Sequence, residues 1–160
     1  MPDKSIVDPF PAPAFSLRDT KGCLYSLEEL RGTWSVLLFL PGMAQKMSVR
    51  LACAYREQWE SFQKLGVSLW GIWAENAAVT TDFEDRFSLP YPLLLDEEFK
   101  VIKAYSAWVT PSGKQGRWNG VVPTVALIAS DGYVTRHWIK VHKAELSPMQ
   151  VLDALKIYLR

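Results

Sequence analysis

Trp34-Ser35-Val36-Leu37-Leu38-Phe39-Leu40, stopped by Pro41-Gly42, is the stretch on which the fold turns. An apolar run this short, bounded by a proline–glycine pair, fits a strand buried on both faces. It is far short of the ~20 residues that a bilayer-spanning helix needs. Downstream the period changes. From Ser48 to Lys64 the apolar residues Leu51, Tyr55, Trp59 and Phe62 recur at helical spacing, with Arg56, Glu57, Glu60 and Lys64 on the opposite side. Gly66 follows as a helix C-cap would, and Val67–Trp73 is a second candidate for a buried strand.

On the N-terminal side, residues 1–12 are rich in proline and read as an extended arm without a core of its own. Ala14-Phe15-Ser16-Leu17 and Leu24-Tyr25-Ser26-Leu27 alternate around Asp19-Thr20-Lys21-Gly22, which predicts a β-hairpin. Ser26 is placed to cap a short helix over Leu27–Arg31, with Glu28 and Glu29 in its first turn. Further along, a helix is expected over Ala77–Phe87, a short strand at Leu93–Asp96 and a small helix over Phe99–Tyr105. Trp108–Gly120 reads as a loop. Val122–Ala129 and Tyr133–Val141 make an antiparallel pair around Ser130-Asp131-Gly132. A last helix covers Pro148–Leu159, with Ser147 as N-cap and Pro148 at its first position. Such β-α alternation, ending in a hairpin and a helix, argues for an α/β fold: a central mixed β-sheet flanked by helices on both faces.

A chain of 160 residues fits one domain, 1–160. Its 18 basic residues nearly balance 17 acidic ones, so no charged field invites nucleic acid. The N-terminus lacks the apolar run of a secretory signal, and the expectation is a cytoplasmic protein without membrane attachment. Two cysteines, Cys23 and Cys53, are too few for a disulfide framework of the secreted kind. His137 and His142 stand without a cysteine or carboxylate pattern around them, so no metal and no cofactor is expected. In the strand Tyr133–Val141, His137 falls opposite Trp138 and reads as structural or solvent-facing.

The landmarks Ala14-Phe15-Ser16-Leu17-x-Asp19-x-x-Gly22, Leu27-x-x-Leu30-Arg31-Gly32 and Val36-Leu37-Leu38-Phe39-Leu40-Pro41 occur in a characteristic order. Leu65-Gly66-Val67, Leu89-Pro90-Tyr91-Pro92-Leu93-Leu94-Leu95-Asp96, Leu127-Ile128-x-x-Asp131-Gly132 and Val151-Leu152-x-x-Leu155 continue it. In that order and spacing the chain resembles the peroxiredoxin superfamily, closest to its bacterioferritin-comigratory, or PrxQ-type, branch. The resemblance runs from Ala12 to Leu159 and implies a thioredoxin-like fold with an added N-terminal hairpin. It also implies a thiol peroxidase. A cysteine in the first turn of the helix after Pro41 attacks a hydroperoxide, a threonine three residues earlier orients the peroxide, and an arginine from a later strand polarises it. In this branch a second cysteine five residues down the helix resolves the sulfenic acid into a disulfide. Carried over to this chain, Pro41 opens the motif, Gln45 stands at the threonine position, Ser48 at the peroxidatic position and Cys53 at the resolving position. The arginine position falls at Pro123.

Serine cannot reach the sulfenic state, and its hydroxyl is scarcely ionised at neutral pH. Ser48 therefore reads as an N-cap in preference to a nucleophile. Cys53, about 140° around the helix from Ser48, is expected to be partly exposed, near Arg50, Arg56 and Lys46. Cys23 falls in the hairpin turn. Val122-Pro123-Thr124 invites comparison with the cis-proline that faces the active-site helix in thioredoxins, while Trp108 and Trp118 are candidates to line an apolar pocket over Ser48. The leading expectation is a peroxiredoxin-family protein whose peroxidase activity is lost or much reduced. Two alternatives stand beside it: an antioxidant oxidoreductase working through Cys53, with or without Cys23 and with a thioredoxin-like protein or a small thiol as reductant, and a non-catalytic interaction module. The expected ligand is a hydroperoxide or small thiol, and the expected assembly a monomer or homodimer.

Overall fold

The computed structural model describes residues 5–111, 119–139 and 146–159. In chain order the strands are β1 (Ile6–Pro11), β2 (Ser16–Arg18), β3 (Leu24–Ser26), β4 (Ser35–Phe39), β5 (Ser68–Trp73), β6 (Leu93–Leu95), β7 (Thr124–Ile128) and β8 (Tyr133–Ile139). The helices are α1 (Lys46–Glu57), α2 (Trp59–Lys64), α3 (Ala77–Phe87), α4 (Lys100–Ala104) and α5 (Pro148–Tyr158). Among the described residues the strands form one mixed sheet in the order β1-β8-β7-β4-β5-β6-β2-β3. β4 runs parallel to β5 and antiparallel to β7, which places the apolar run Ser35–Phe39 in the middle of the sheet. All five of its residues are buried, as a strand covered on both faces requires.

Pleat alternation divides the core. Val36 and Leu38 point, with Leu69 and Trp73, toward a layer made by α1, α2, α3 and α5, which contribute Tyr55, Phe62, Phe83 and Leu152 among others. Leu37, Phe39, Trp70 and Ile72 point the other way, onto α4 and the N-terminal hairpin. Each fully buried side chain of this size contributes roughly 1.5–3 kcal/mol relative to exposure. Gly71 lets the sheet close up against β6, because a Cβ there would collide with the Leu93 side chain.

Several elements differ from the sequence reading. The helix expected from Ser48 to Lys64 starts at Lys46 and breaks at Gln58, where φ −105° and ψ 9° end α1 and start α2. The short helix after Ser26 is a 3₁₀ turn over Leu27–Leu30, in which the Glu29 carboxylate accepts from the Ser26 N–H. The N-terminal arm is strand β1, paired antiparallel with β8 through Ile6–Arg136 and Phe10–Val134. Local propensity could not reveal that pairing, because its partner lies more than a hundred residues away in sequence. His137 is buried, its N–H bonded to the Ser5 carbonyl and its Nε2 3.0 Å from the Tyr105 carbonyl, so the structural half of its reading holds and the solvent-facing half does not. Among the described residues no helix is long and apolar enough to cross a membrane.

Candidate functional site

β4 delivers the chain to Pro41 and Gly42 at the end of the sheet, and a tight loop then leads into α1. Gly42 has φ +98°, a left-handed conformation that glycine adopts without cost, and a Cβ there would sit 3.1 Å from Glu75 Oε2 and 3.2 Å from Asn119 Nδ2. The Met43 N–H donates to Glu75 Oε2 at 2.8 Å. Gln45 is the N-cap residue of α1, with φ −109° and ψ 126°, and its side chain makes no capping bond. Its own N–H donates to the Gly42 carbonyl at 3.3 Å.

Ser48 is the third residue of α1, fully buried, and its Oγ donates to the Gly42 carbonyl at 2.5 Å. This corrects the N-cap reading. An N-cap serine accepts from helix N–H groups with its side chain, whereas this hydroxyl gives its proton to the loop behind it. The reason lies in where the helix starts: Lys46 and Met47 already adopt helical conformation, which moves Ser48 inside the first turn.

Cys53 lies five residues further along α1, ~7.5 Å along the helix axis by the ordinary rise, and is partly buried. Arg56 and Tyr91 are its electrostatic neighbours. Tyr91 donates its hydroxyl proton to the Ala52 carbonyl at 2.6 Å, and burial first, then the negative charge Cys53 would carry, pushes its pKa well above the usual phenol range. Arg56 reaches the Phe87 carbonyl at 2.6 Å and the Glu57 carboxylate, also at 2.6 Å. Cys23 is exposed in the hairpin turn, its N–H bonded to Asp19 Oδ1, and both cysteines are free thiols.

The register pairs Thr124 with Phe39, which carries Pro123 to the end of the sheet from which Pro41 leaves. Thr124 is buried and its Oγ1 donates to the Val122 carbonyl at 2.8 Å. The described residues contain no cis peptide bond, so Pro123 departs from the thioredoxin comparison. Trp108 packs with the Phe39 face of the sheet, whereas α1 packs on the other face; its Nε1 donates to the Asn119 carbonyl at 3.0 Å, and Lys103 Nζ sits 4.4 Å from its ring centre. Trp118 and His142 lie outside the described residues. Two open grooves of about 680 and 700 Å³ flank the hairpin, and neither is lined by residues 41–53. Neither Glu75 nor Asn119 stands out in the sequence as a neighbour of Gly42. The available signal was position, since Glu75 follows a central strand at its C-terminal end, where ligand-handling residues of α/β sheets gather.

A model of the AhpC/TSA family matches residues 10–137. The chain belongs to that family. Among similar proteins, peroxiredoxin Bcp of Bacillus subtilis is 27% identical over 145 residues, covering 91% of this chain and 92% of its own. The chloroplast peroxiredoxin Q of Oryza sativa subsp. japonica is 36% identical over 109 residues, covering 68% of this chain and 49% of its own, so the match spans about half of that protein. The crystal structure of peroxidoxin BcpB from Mycobacterium tuberculosis superposes with a TM-score of 0.79 at 22% identity, over 93% of this chain and 96% of that one. This last likeness concerns the fold, which is thioredoxin-like with the expected N-terminal hairpin.

Proposed function

We propose that this chain is a peroxiredoxin-family protein that has lost, or nearly lost, thiol peroxidase activity, with Ser48 at the peroxidatic position. One observation carries the reading: the Ser48 hydroxyl is buried and committed as a donor to the Gly42 carbonyl at 2.5 Å. Peroxide reduction needs a thiolate, a polarisable anion able to become a sulfenic acid. A hydroxyl group has neither property, and here its proton is already held. Gln45, at the position of the peroxide-orienting threonine, makes no side-chain bond to the helix end, and Pro123 cannot supply an arginine's charge.

The rival reading, a redox protein acting through Cys53 on a hydroperoxide with a thioredoxin-like or small-thiol reductant, draws on that thiol's partial exposure beside Arg56. A peroxide-consumption assay with a thioredoxin system separates the two. Wild type is expected to show no turnover, and Ser48→Cys little gain. Turnover by wild type that disappears in Cys53→Ser would replace the first reading with the second.

A further inference from the structure

Two of the bonds that fix the loop before α1 share one peptide unit, whose carbonyl also accepts from the Gln45 N–H at 3.3 Å. Ser48 Oγ donates at 2.5 Å to the Gly42 carbonyl, and the N–H on the far side of the same planar group, that of Met43, donates at 2.8 Å to Glu75 Oε2. A carboxylate is thus joined to residue 48 by one peptide. Hydrogen bonds in such a chain polarise one another, so a carboxylate on the N–H makes the carbonyl oxygen more negative and a stronger acceptor. A Cβ on Gly42 would crowd the same Glu75 carboxylate and the Asn119 amide, so the site admits only glycine at this close approach. Trp108 in turn holds the Asn119 backbone, and Asn119 Oδ1 accepts from the Val121 N–H at 3.1 Å.

We infer that Glu75 is a positioning residue for position 48, acting through the Gly42–Met43 peptide, and that it makes this site one that takes a proton from residue 48 and disfavours an anion there. The inference rests on the assignment of Ser48 to the peroxidatic position and deepens it. A thiolate at this place would face a carbonyl oxygen backed by a carboxylate, the reverse of the donors it needs. Substitution of the serine alone therefore does not restore an acidic thiol. The ionisable side chains of the segments that meet here are Glu75 after β5, and Lys46 and Arg50 on α1. Residues 41–45 and 119–123 contribute none.

The test is the thiol pKa of Ser48→Cys in a Cys23→Ser/Cys53→Ser background, read from thiolate absorbance against pH. It is expected at or above the ordinary ~8.5. Adding Glu75→Gln, which keeps an acceptor for Met43 but removes the charge, should lower it by about one unit. A thiol that titrates well below 8 with Glu75 present, or one that Glu75→Gln does not move, overturns the inference. A second measurement needs no thiol: with Ser48 retained, Glu75→Ala should speed hydrogen exchange of the Met43 amide at least tenfold, while Glu75→Gln should leave it slow. Unchanged exchange in Glu75→Ala also overturns the inference. These readouts are independent of peroxide turnover, so the inference can fail while the inactive-peroxidase reading stands, and the reverse.

Discussion

Glu84 shows how a single side chain sets a pH dependence. It reaches down from α3, its carboxylate accepting from Thr20 Oγ1 at 3.1 Å and from the Leu93 N–H at 3.3 Å. Partial burial raises its pKa above the ordinary 4.5, the two hydrogen bonds pull it back, and the negative charges of Asp19 and Asp85 add to the rise. The folded chain thus holds this proton to higher pH than the unfolded chain. Its contribution to stability is complete below pH 4.5 and is lost as pH climbs through the raised value. Glu84→Gln imitates the protonated form and should melt at a higher temperature than wild type at neutral pH. Melting curves across the acid-to-neutral range should show that advantage shrinking as the pH falls to 4.5. A difference independent of pH would remove Glu84 as its source.

At the scale of elements, residues 107–109 and 119–122 hold each other by backbone hydrogen bonds. Val109 donates to the Gly120 carbonyl at 2.9 Å and Val122 to the Ala107 carbonyl at 2.8 Å. Gly120 has φ +93°, and a Cβ there would stand 2.5 Å from the Val109 carbonyl oxygen and collide with the Trp108 indole. Gly120→Ala is expected to cost about 2–4 kcal/mol by combined strain and overpacking, measured by urea unfolding. A loss under about 1 kcal/mol would mean the two segments part more easily than their packing implies. The same region shows what a sequence can disclose. β4, β5 and α3 were legible because burial on two faces, helical period and flanking breakers all agree within a short window. The sequence places the α1 start two residues late, because neither Gln45 nor Lys46 is a strong start signal, whereas serine is. Glu75 and Asn119 could not be read as neighbours of Gly42, since only the folded sheet brings the end of β5 and the approach to β7 beside that loop.

For the molecule as a whole, the sheet's two edges decide how it meets other chains. β3 closes one side, and the proline-bearing β1 the other. The Ala12 N–H turns inward to the Gly132 carbonyl at 2.9 Å, so the alternation of the strand puts Pro11, which has no N–H, at the outer edge. Such an edge is a poor template for a further strand. β8, by contrast, carries no proline, and among the described residues β1 is the strand that covers its outer side. β1 is in effect a ligand carried on a short tether, with only residues 12–15 between it and β2. Its local concentration at β8 is then on the order of millimolar. A fluorescent peptide copying residues 5–12 should show no binding by polarisation at micromolar protein. Tight binding there would mean that β1 leaves its place readily. The strand thus behaves as a resident competitor, and an outside strand must match its affinity and also outnumber a copy that never diffuses away.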